Sequence, residues 1–257
     1  MRLIILIPAY NEEETIASVL NAIPEVFPGM DDVRTLVVDD GSTDKTAAIA
    51  REAGAVVVSH GHNRGVGRAF TTGLSKALEL GADIMVNIDA DGQFSPDEIP
   101  LLINPILKGE ADFVVGDRFS ARNGKIQKPE HMSGIKFWGN KGMSWFISTL
   151  TGRKFQDVSC GFRAYSREAM LQLNLAGQFT YTQETFIDLA DKGLTIKNVP
   201  VSVTYFPGRD SRVAGSLLNY AIKSGKIIFR AYRDYKPLRF FGWMGLANFI
   251  LGSVLGL

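Results

Sequence analysis

Three oxygen-bearing side chains stand at alternate positions just after a short apolar run. Asp89, Asp91 and Gln93 directly follow the run at 84–88. In an extended segment, side chains at alternate positions can point towards one side. Their oxygens suit hard divalent cations such as Mg²⁺ or Mn²⁺, and Mg²⁺ usually leaves coordination positions for phosphate oxygens. A solvated Asx turn before a helix is the alternative interpretation, because Asp and Gly are common in such turns.

Two other polar clusters also follow apolar runs. The segment PAYNE at 8–12 comes after the run at 3–7, and the segment DDGSTD at 39–44 comes after the run at 33–38. In open sheets of parallel strands, ligands bind at the carboxyl ends of the strands. If the sheet is parallel, both clusters and the one at 89–93 therefore converge on a single crevice.

The fold that brings these clusters together is an α/β fold with a mainly parallel, Rossmann-like sheet. Short β-branched runs predict buried strands at 3–7, 33–38, 56–59, 84–88 and 113–116. Helical patterns lie between them at 12–22, 44–53, 66–80 and 96–107. This alternation indicates a sheet with helices on both faces. Beyond residue 117 the alternation lapses into a polar stretch at 118–133, helices at 134–150 and 182–192, and a strand at 196–205.

The composition is that of a globular chain. Of the 257 residues, 46% are hydrophobic and 21% are charged, which excludes a disordered protein. The length predicts one domain with an appendage. A net charge of +1 gives no bias towards nucleic acid, so no nucleic-acid partner is expected. Cys160 is the single cysteine and cannot form an internal disulfide, which favours a reducing compartment.

The C-terminal region predicts contact with membrane lipids. Between positions 223 and 239 the chain has six basic residues and one acid, Asp234. The segment 217–239 is therefore expected to form an amphipathic helix at the membrane surface. Residues 240–257 are uncharged, and we expect them to begin a transmembrane segment that the chain end cuts short, with a buried core helix as the alternative. Basic residues before a span predict that the preceding domain, 1–216, lies on the cytoplasmic side.

Taken together and in order, six short segments resemble the family 2 glycosyltransferases with the glycosyltransferase A fold. They are PAYNE (8–12), VVDDGSTD (37–44), HNRGVG (62–67), DADGQ (89–93), GDRF (116–119) and DVSCGFR (157–163). The last two are similar to the dolichol-phosphate mannose synthase branch and its bacterial polyprenyl-phosphate relatives. The resemblance runs from about residue 3 to about residue 235.

The resemblance implies a donor pocket at the strand ends. Tyr10 would lie against the base, Asp40 would contact base or ribose, and Asp89, Asp91 and Gln93 would hold Mg²⁺ or Mn²⁺ against the donor diphosphate. For Asp39, turn and capping chemistry is an equal alternative. The residues implied for the nucleotide-sugar are Pro8, Ala9, Tyr10, Glu12, Asp39, Asp40, Arg64, Asp89, Ala90 and Asp91.

The resemblance also implies an acceptor side. Asp157 matches the position of a proposed catalytic base, with a turn-capping role as the alternative. A lipid phosphate is already largely anionic at neutral pH, so such a base would add less than usual. An anionic acceptor beside a diphosphate also needs cations besides one metal ion, and arginine suits phosphate because its planar fork can make two hydrogen bonds. The candidates for catalysis are therefore Asp157, Arg118 and Arg212, and those for the acceptor phosphate are Arg118, Arg209, Arg212 and Ser216, of which Arg212 and Ser216 match an Arg-x-x-Gly-Ser element of the family. A solvated surface turn is the alternative for these arginines. A further family arginine has no counterpart here, since the segment 128–142 contains only Lys128, Lys136 and Lys141 as lysine or arginine.

The activity that follows from the resemblance is transfer of a hexose, with inversion, to a polyprenyl or dolichyl phosphate. The donor would be a nucleoside diphosphate-sugar of the GDP-mannose or UDP-glucose type. A transferase that acts on a glycan or glycolipid hydroxyl is the alternative, and it would make Asp157 indispensable as a base. A membrane-tethered nucleotide-sugar binding protein without turnover is a third hypothesis.

Overall fold

The computed structural model describes residues 1–120, 125–175, 181–206, 225, 229–230, 232–234 and 237–256. The chain divides into two compact units, Met1–Arg209 and Asp210–Leu257. The predicted domain boundary at residue 216 lies outside the described residues.

The first unit is built on a seven-stranded sheet. Its strands are β1 (Arg2–Ala9), β2 (Asp32–Asp39), β3 (Val56–Ser59), β4 (Ile84–Asn87), β5 (Phe113–Asp117), β6 (Arg163–Ser166) and β7 (Ile196–Pro200). Their order across the sheet is β3-β2-β1-β4-β6-β5-β7. Every neighbouring pair for which both strands were predicted from the sequence is parallel. The prediction of an α/β fold with a mainly parallel sheet is therefore confirmed.

Helices connect most of these strands. They are α1 (Ile16–Asn21), α2 (Thr46–Glu52), α3 (Val66–Glu79), α4 (Ile99–Leu107, after a 3-10 turn at Pro96–Glu98), α5 (Gly134–Thr151), α6 (Arg167–Gln172) and α7 (Thr182–Asp191). Close packing fixes α3 on the central strand, because a Cβ atom at Gly73 would lie 2.2 Å from Leu6 Cδ1. Only glycine allows the helix to approach β1 so closely.

Strand β6 and helix α6 were absent from the sequence prediction. The four residues of β6 pair antiparallel with both β4 and β5, so the sheet is mixed at this point. A four-residue strand that begins with Arg163 lacks the apolar run that identified the other strands. The predicted strand at 196–205 was too long, since β7 ends at Pro200.

The second unit is described chiefly by the helix Pro237–Leu255. Within the part of the chain that the structure describes, no helix is both long enough and apolar enough to span a bilayer. The predicted transmembrane segment at 240–257 is therefore not supported. The predicted amphipathic helix at 217–239 lies largely outside the described residues.

Candidate active site

The predicted polar clusters meet at the carboxyl edge of the sheet. Ala9 ends β1 beside Asp39, which ends β2, and the Asp40 amide donates to the Ala9 carbonyl at 2.8 Å. Asp89 follows β4 on the other side of β1. The convergence predicted for segments 8–12, 39–44 and 89–93 is therefore present.

The two loops implied for the donor base are joined by hydrogen bonds. The Asn11 amide donates to Ser42 Oγ at 2.9 Å, and the Thr43 amide donates to Asn11 Oδ1 at 2.8 Å. One residue later, the Glu12 amide donates to Thr46 Oγ1 at 2.7 Å. Asn11 adopts a positive φ of 52°, which asparagine tolerates better than most residues. The loops after β1 and β2 thus form one unit, with Pro8 and Tyr10 half-buried beside it.

Asp40 anchors the loop that precedes α3. Its buried carboxylate accepts hydrogen bonds from the Arg64 amide at 3.0 Å and the Gly65 amide at 2.8 Å. His60 Nδ1 lies 2.7 Å from Asp40 Oδ1, and His60 Nε2 lies 3.0 Å from Thr72 Oγ1. These contacts give Asp40 a structural role, and its implied contact with base or ribose stays a prediction. The role of His60 had no signal in the sequence.

Asp39 is held in the turn that follows β2. Its buried carboxylate accepts from the Ser42 amide at 3.0 Å. Gly41 in this turn has a φ of 77°, and a Cβ there would lie 2.4 Å from the His62 carbonyl carbon. The geometry matches the turn interpretation of Asp39, and it explains why glycine follows the two aspartates.

Asp89 is surrounded by charged side chains of both signs. Burial, and then the negative charge of Asp91, raises the pKa of Asp89 to about 7, although Arg118 and Arg163 oppose this rise. Glu12 adds a smaller upward effect. Charged residues that follow β1, β4 and β5, together with the first residue of β6, therefore act on the Asp89 carboxylate. The Asp91 carboxylate also accepts from the Gln93 amide at 3.0 Å, so residues 91–93 form a turn.

The donor set at Asp89 and Asp91 fits a divalent cation whose other ligands come from a diphosphate. Among the described residues, no group of three or more His, Cys, Asp and Glu side chains could hold a metal ion by itself. Two carboxylates that disfavour each other's ionisation would both be stabilised by a cation between them. Ala90, which separates the two aspartates in the sequence, is buried, and Gln93 is half-buried.

Arg118 and Asp157 form a buried ion pair. Arg118 Nε donates to Asp157 Oδ2 at 2.7 Å, and Arg118 Nη2 donates to Asp157 Oδ1 at 3.0 Å. Asp157 has an exposed fraction of 0%, and the Ser159 amide also donates to its Oδ1 at 3.0 Å. Burial alone would lower the pKa of Arg118, but the charge and hydrogen bonds of Asp157, with smaller contributions from Cys160 and Tyr205, together raise it above its usual value. Both carboxylate oxygens are engaged, so Asp157 holds Arg118 in place.

Three side chains clamp the backbone of the turn 157–161. Asn198 Nδ2 donates to the Asp157 carbonyl at 3.1 Å, and Asn87 Nδ2 donates to the Gly161 carbonyl at 2.8 Å. Between them, Arg163 donates to the carbonyls of Val158 at 3.1 Å and Cys160 at 2.6 Å. The turn is thereby fixed at both ends.

The same turn packs against the predicted metal residues. A Cβ atom at Gly161 would lie 2.6 Å from Asp89 Oδ2. Arg163 is fully buried, and its guanidinium lies 5.4 Å from the ring centre of Tyr181. The motif at 157–163 contains Arg163 but does not indicate its role. In the structure Arg163 holds the turn that packs against Asp89 and carries Asp157.

Lys141 is the lysine of segment 128–142 that approaches Phe119, the residue next to Arg118. Its Nζ lies 5.7 Å from the centre of the Phe119 ring, and the Arg118 guanidinium lies 5.2 Å from the same ring. Lys141 Nζ also approaches the Gln156 carbonyl at 3.5 Å. Lys128 and Lys136 are exposed. The sequence could not choose among the three lysines, because the choice depends on the direction in which α5 faces.

The remaining implied residues are placed as follows. Arg64 is exposed in the loop that Asp40 holds. Arg209, Arg212 and Ser216 lie outside the described residues, so their roles stay predictions.

Comparison with known proteins identifies the family. A model of the family described as "Glycosyl transferase family 2" matches residues 4–173. The chain belongs to this family. The family resemblance inferred from the sequence is thus confirmed, and the chain is a glycosyltransferase.

Relatives of this glycosyltransferase include lipid-phosphate enzymes. A UDP-N-acetylglucosamine–dolichyl-phosphate N-acetylglucosaminyltransferase from Methanococcus voltae is 34% identical over 87% of this chain and 97% of its own length. A polyprenol monophosphomannose synthase from Mycolicibacterium smegmatis is 29% identical over 86% of this chain and 84% of its own length.

Solved structures support the fold. The crystal structure of glucosyl-3-phosphoglycerate synthase from Mycobacterium tuberculosis, in complex with Mn²⁺, UDP-glucose and phosphoglyceric acid, is 25% identical with a TM-score of 0.65. The alignment covers 91% of this chain and 79% of that one. The fold of this chain is therefore of the glycosyltransferase A type.

Proposed function

We propose that this glycosyltransferase moves a hexose from a nucleoside diphosphate-sugar to a polyprenyl or dolichyl phosphate, with inversion and with the help of a divalent metal ion. The relatives from Methanococcus voltae and Mycolicibacterium smegmatis support the acceptor class, because both names contain a lipid phosphate or its product. Their names contain different sugars, so a donor of the GDP-mannose or the UDP-glucose type fits the family equally. Inversion rests on the family resemblance.

The observation that carries this proposal is the state of Asp157. Its carboxylate is fully buried and paired through both oxygens with Arg118. A neutral hydroxyl acceptor needs a base to take its proton, and both oxygens of Asp157 already accept hydrogen bonds from Arg118. A phosphate monoester has a second pKa of about 6 and is already an anionic nucleophile at neutral pH. The geometry therefore favours a phosphate acceptor over a glycan hydroxyl.

Arg118 and Lys141 are the described cations suited to receive that phosphate. Arginine can bind a phosphate through two parallel hydrogen bonds, and lysine binds it as a point charge. Both lie beside the Phe119 ring. In this proposal the incoming phosphate competes with Asp157 for the guanidinium. Arg209, Arg212 and Ser216 would add contacts to the same phosphate.

Asp89 and Asp91, with Gln93, would hold the divalent ion, either Mg²⁺ or Mn²⁺. When bound, the ion supplies positive charge that stabilises the diphosphate leaving group. Arg163 would support this site indirectly, because it fixes the turn that packs against Asp89. Tyr10, Asp40 and the loops after β1 and β2 would hold the nucleotide.

The acceptor's lipid chain requires the site to face a membrane. We place the catalytic unit on the cytoplasmic side, as the basic residues near the C-terminus predict.

A panel of radiolabelled nucleotide-sugars tests the proposal. Each sugar is incubated with the full chain and Mn²⁺, with polyprenyl phosphate in one arm and a neutral glycan or glycolipid in the other. Transfer of label to the phosphate is the expected result. Transfer to a hydroxyl acceptor alone would replace the proposal with the glycan alternative. If the protein binds a nucleotide-sugar but neither hydrolyses it nor transfers its label in either arm, the result would support a binding protein without turnover.

A further inference from the structure

The segment 201–206, which follows β7, contacts both sides of the candidate site. Its Thr204 amide donates to the Gln93 carbonyl at 2.9 Å, so the segment is attached to the loop that would hold the metal ion. Ser202 makes a second attachment, because its amide and its Oγ donate to the two carboxylate oxygens of Glu98 at 2.7 and 3.0 Å. The segment is thereby fixed on the donor side of the site.

The next residue along this segment, Tyr205, reaches the acceptor side. Arg118 Nη1 donates to the Tyr205 hydroxyl at 3.2 Å. The Tyr205 ring packs against the buried cluster of Phe119, Met132 and Phe137, so packing determines where the hydroxyl lies. Burial raises the pKa of Tyr205, and its hydroxyl therefore stays protonated well above neutral pH. None of the sequence motifs includes this residue.

Tyr205 and Asp157 hold different nitrogens of the same guanidinium. Asp157 accepts from Nε and Nη2 of Arg118, whereas Tyr205 accepts from Nη1. Loss of the bonds to Asp157 therefore leaves the bond to Tyr205 in place. The Phe119 ring, whose centre lies 5.2 Å from the guanidinium, also remains. Because the guanidinium is planar and rigid, a hold on Nη1 also restricts the positions of Nε and Nη2.

Such a second hold matters when one anion replaces another on Arg118. An arginine side chain has many rotamers, and ordering them at the moment of binding lowers the affinity for the ligand. In the proposed function the acceptor phosphate takes the place of Asp157. If Arg118 stays ordered throughout this exchange, the phosphate meets hydrogen-bond donors whose directions are already set.

We propose that Tyr205 is a positioning residue for the acceptor phosphate, because its hydroxyl holds Arg118 while the phosphate replaces Asp157. This inference rests on the proposed function, which supplies the phosphate. Because segment 201–206 is attached to the loop 93–98, Tyr205 also sets the position of Arg118 relative to the predicted metal site. Tyr205 acts through Arg118 and takes no part in the transfer itself.

The variant Tyr205→Phe tests this role, since it removes the hydroxyl and keeps the ring in its cluster. The full-length variant is assayed with a short, water-soluble polyprenyl phosphate at saturating donor and Mn²⁺. We expect the acceptor KM to rise about three- to ten-fold, as for the loss of one hydrogen bond to a charged group, with kcat and the donor KM unchanged within about two-fold.

Thr204→Val is the matched control for this measurement. It removes an exposed hydroxyl from the same segment and keeps the backbone bond to Gln93, so both kinetic constants should stay unchanged. An unchanged acceptor KM in Tyr205→Phe, an equal rise in Thr204→Val, or a loss confined to kcat would each overturn the inference.

Arg118→Lys shows whether the hydroxyl acts through Arg118. Lysine keeps the charge but lacks the planar fork, so no Nη1 remains for Tyr205 to hold. In this background Tyr205→Phe should raise the acceptor KM by less than about two-fold. If the two effects multiply instead, Tyr205 acts independently of Arg118 and the inference is wrong.

Exchange of the Arg118 Nε proton with water tests the hold without donor or acceptor. The protein is labelled with ¹⁵N-arginine, and the Arg118 signal is assigned by its loss in Arg118→Lys. In the Asp157→Asn background, which removes the charge of the other partner, Tyr205→Phe should speed the exchange at least about five-fold. Equal exchange rates would contradict the proposed hold. Faster exchange in a protein that shows no transfer to polyprenyl phosphate would retain the hold and reject the proposed acceptor.

Discussion

Asp40 and Asp157 are both buried carboxylates near the carboxyl edge of the sheet, but different groups stabilise their negative charges. Asp40 accepts hydrogen bonds from two backbone amides and lies beside His60. Asp157 is paired with the guanidinium of Arg118 through two charged hydrogen bonds. Backbone amides cannot leave Asp40 without unfolding a loop. In the proposed function, by contrast, Arg118 exchanges the carboxylate of Asp157 for the acceptor phosphate, so the proposed donor side would be a fixed scaffold and the proposed acceptor side would contain an exchangeable cation.

Removal of Asp157 should have the largest effect on stability. Asp157→Ala leaves Arg118 with an uncompensated charge in a buried site, which typically costs about 3–5 kcal/mol. Urea unfolding of the full chain measures this cost. The double variant Arg118→Met, Asp157→Leu is the matched control, and it should regain much of the stability because no buried charge remains. A loss below about 1 kcal/mol in the single variant would mean that the pair is open to water.

Asp91→Ala should have the largest effect on the donor side. Transfer should fall about 10²–10³-fold, as for other losses of transition-state charge stabilisation. Nucleotide binding should weaken only when metal is present, which calorimetry with Mn²⁺ measures. Asp97→Ala, at an exposed carboxylate in the following turn, should have no such effect.

The same variant sharpens a pH prediction. Because the pKa of Asp89 is raised from 3.8 to about 7, the protonated form predominates below pH 7 in the metal-free fold. This group therefore contributes most to stability at low pH, and its contribution is lost as the pH rises towards 7. Mn²⁺ requires the carboxylate, so its affinity should rise about ten-fold per pH unit up to about pH 7 and then level off. In Asp91→Ala the pH at which the Mn²⁺ affinity levels off should be lower, because the negative charge that raises the pKa of Asp89 is gone. If this pH does not change, the charge of Asp91 does not raise the pKa of Asp89.

Asp40→Asn should cost less than Asp157→Ala. Asparagine keeps one acceptor oxygen but turns an NH₂ group towards one of the amides of Arg64 and Gly65, which costs about 1–3 kcal/mol. Thermal unfolding measures the change, with Asp39→Asn as the comparison. If Asp40→Asn weakens nucleotide binding with unchanged stability, Asp40 contacts the donor directly and the scaffold interpretation is wrong.

The sequence predicted the donor side better than the acceptor side, for a physical reason. Strands β1, β2 and β4 are apolar runs, and the clusters after them converge because parallel strands share an edge. The acceptor side depends on β6, a four-residue antiparallel strand, and on the direction in which α5 faces. Neither leaves a periodic signal in the sequence.

The partners of the site residues were harder still to predict. Asp157 was expected as a base, yet its pairing with Arg118 joins residues 39 positions apart. The clamps from Asn87, Arg163 and Asn198 are similarly non-local. Such contacts depend on the finished fold, so single-sequence motifs identify the residues without their roles.

The smallest expected effect concerns Lys141. Its ammonium group lies over the Phe119 ring, as the Arg118 guanidinium does, so in the proposed function it would meet the acceptor phosphate as a half-exposed charge. Lys141→Ala should raise the acceptor KM about five-fold, the equivalent of about 1 kcal/mol, and leave kcat and donor binding unchanged. Lys136→Ala is the matched control, because it removes an exposed lysine from the same helix and should leave transfer to a short, water-soluble acceptor unchanged. Lys141→Arg should restore the KM, since charge and reach are retained. If Lys141→Ala lowers kcat with an unchanged KM, the residue acts after the acceptor has bound, and the exchangeable cation is Arg118 alone among the described residues.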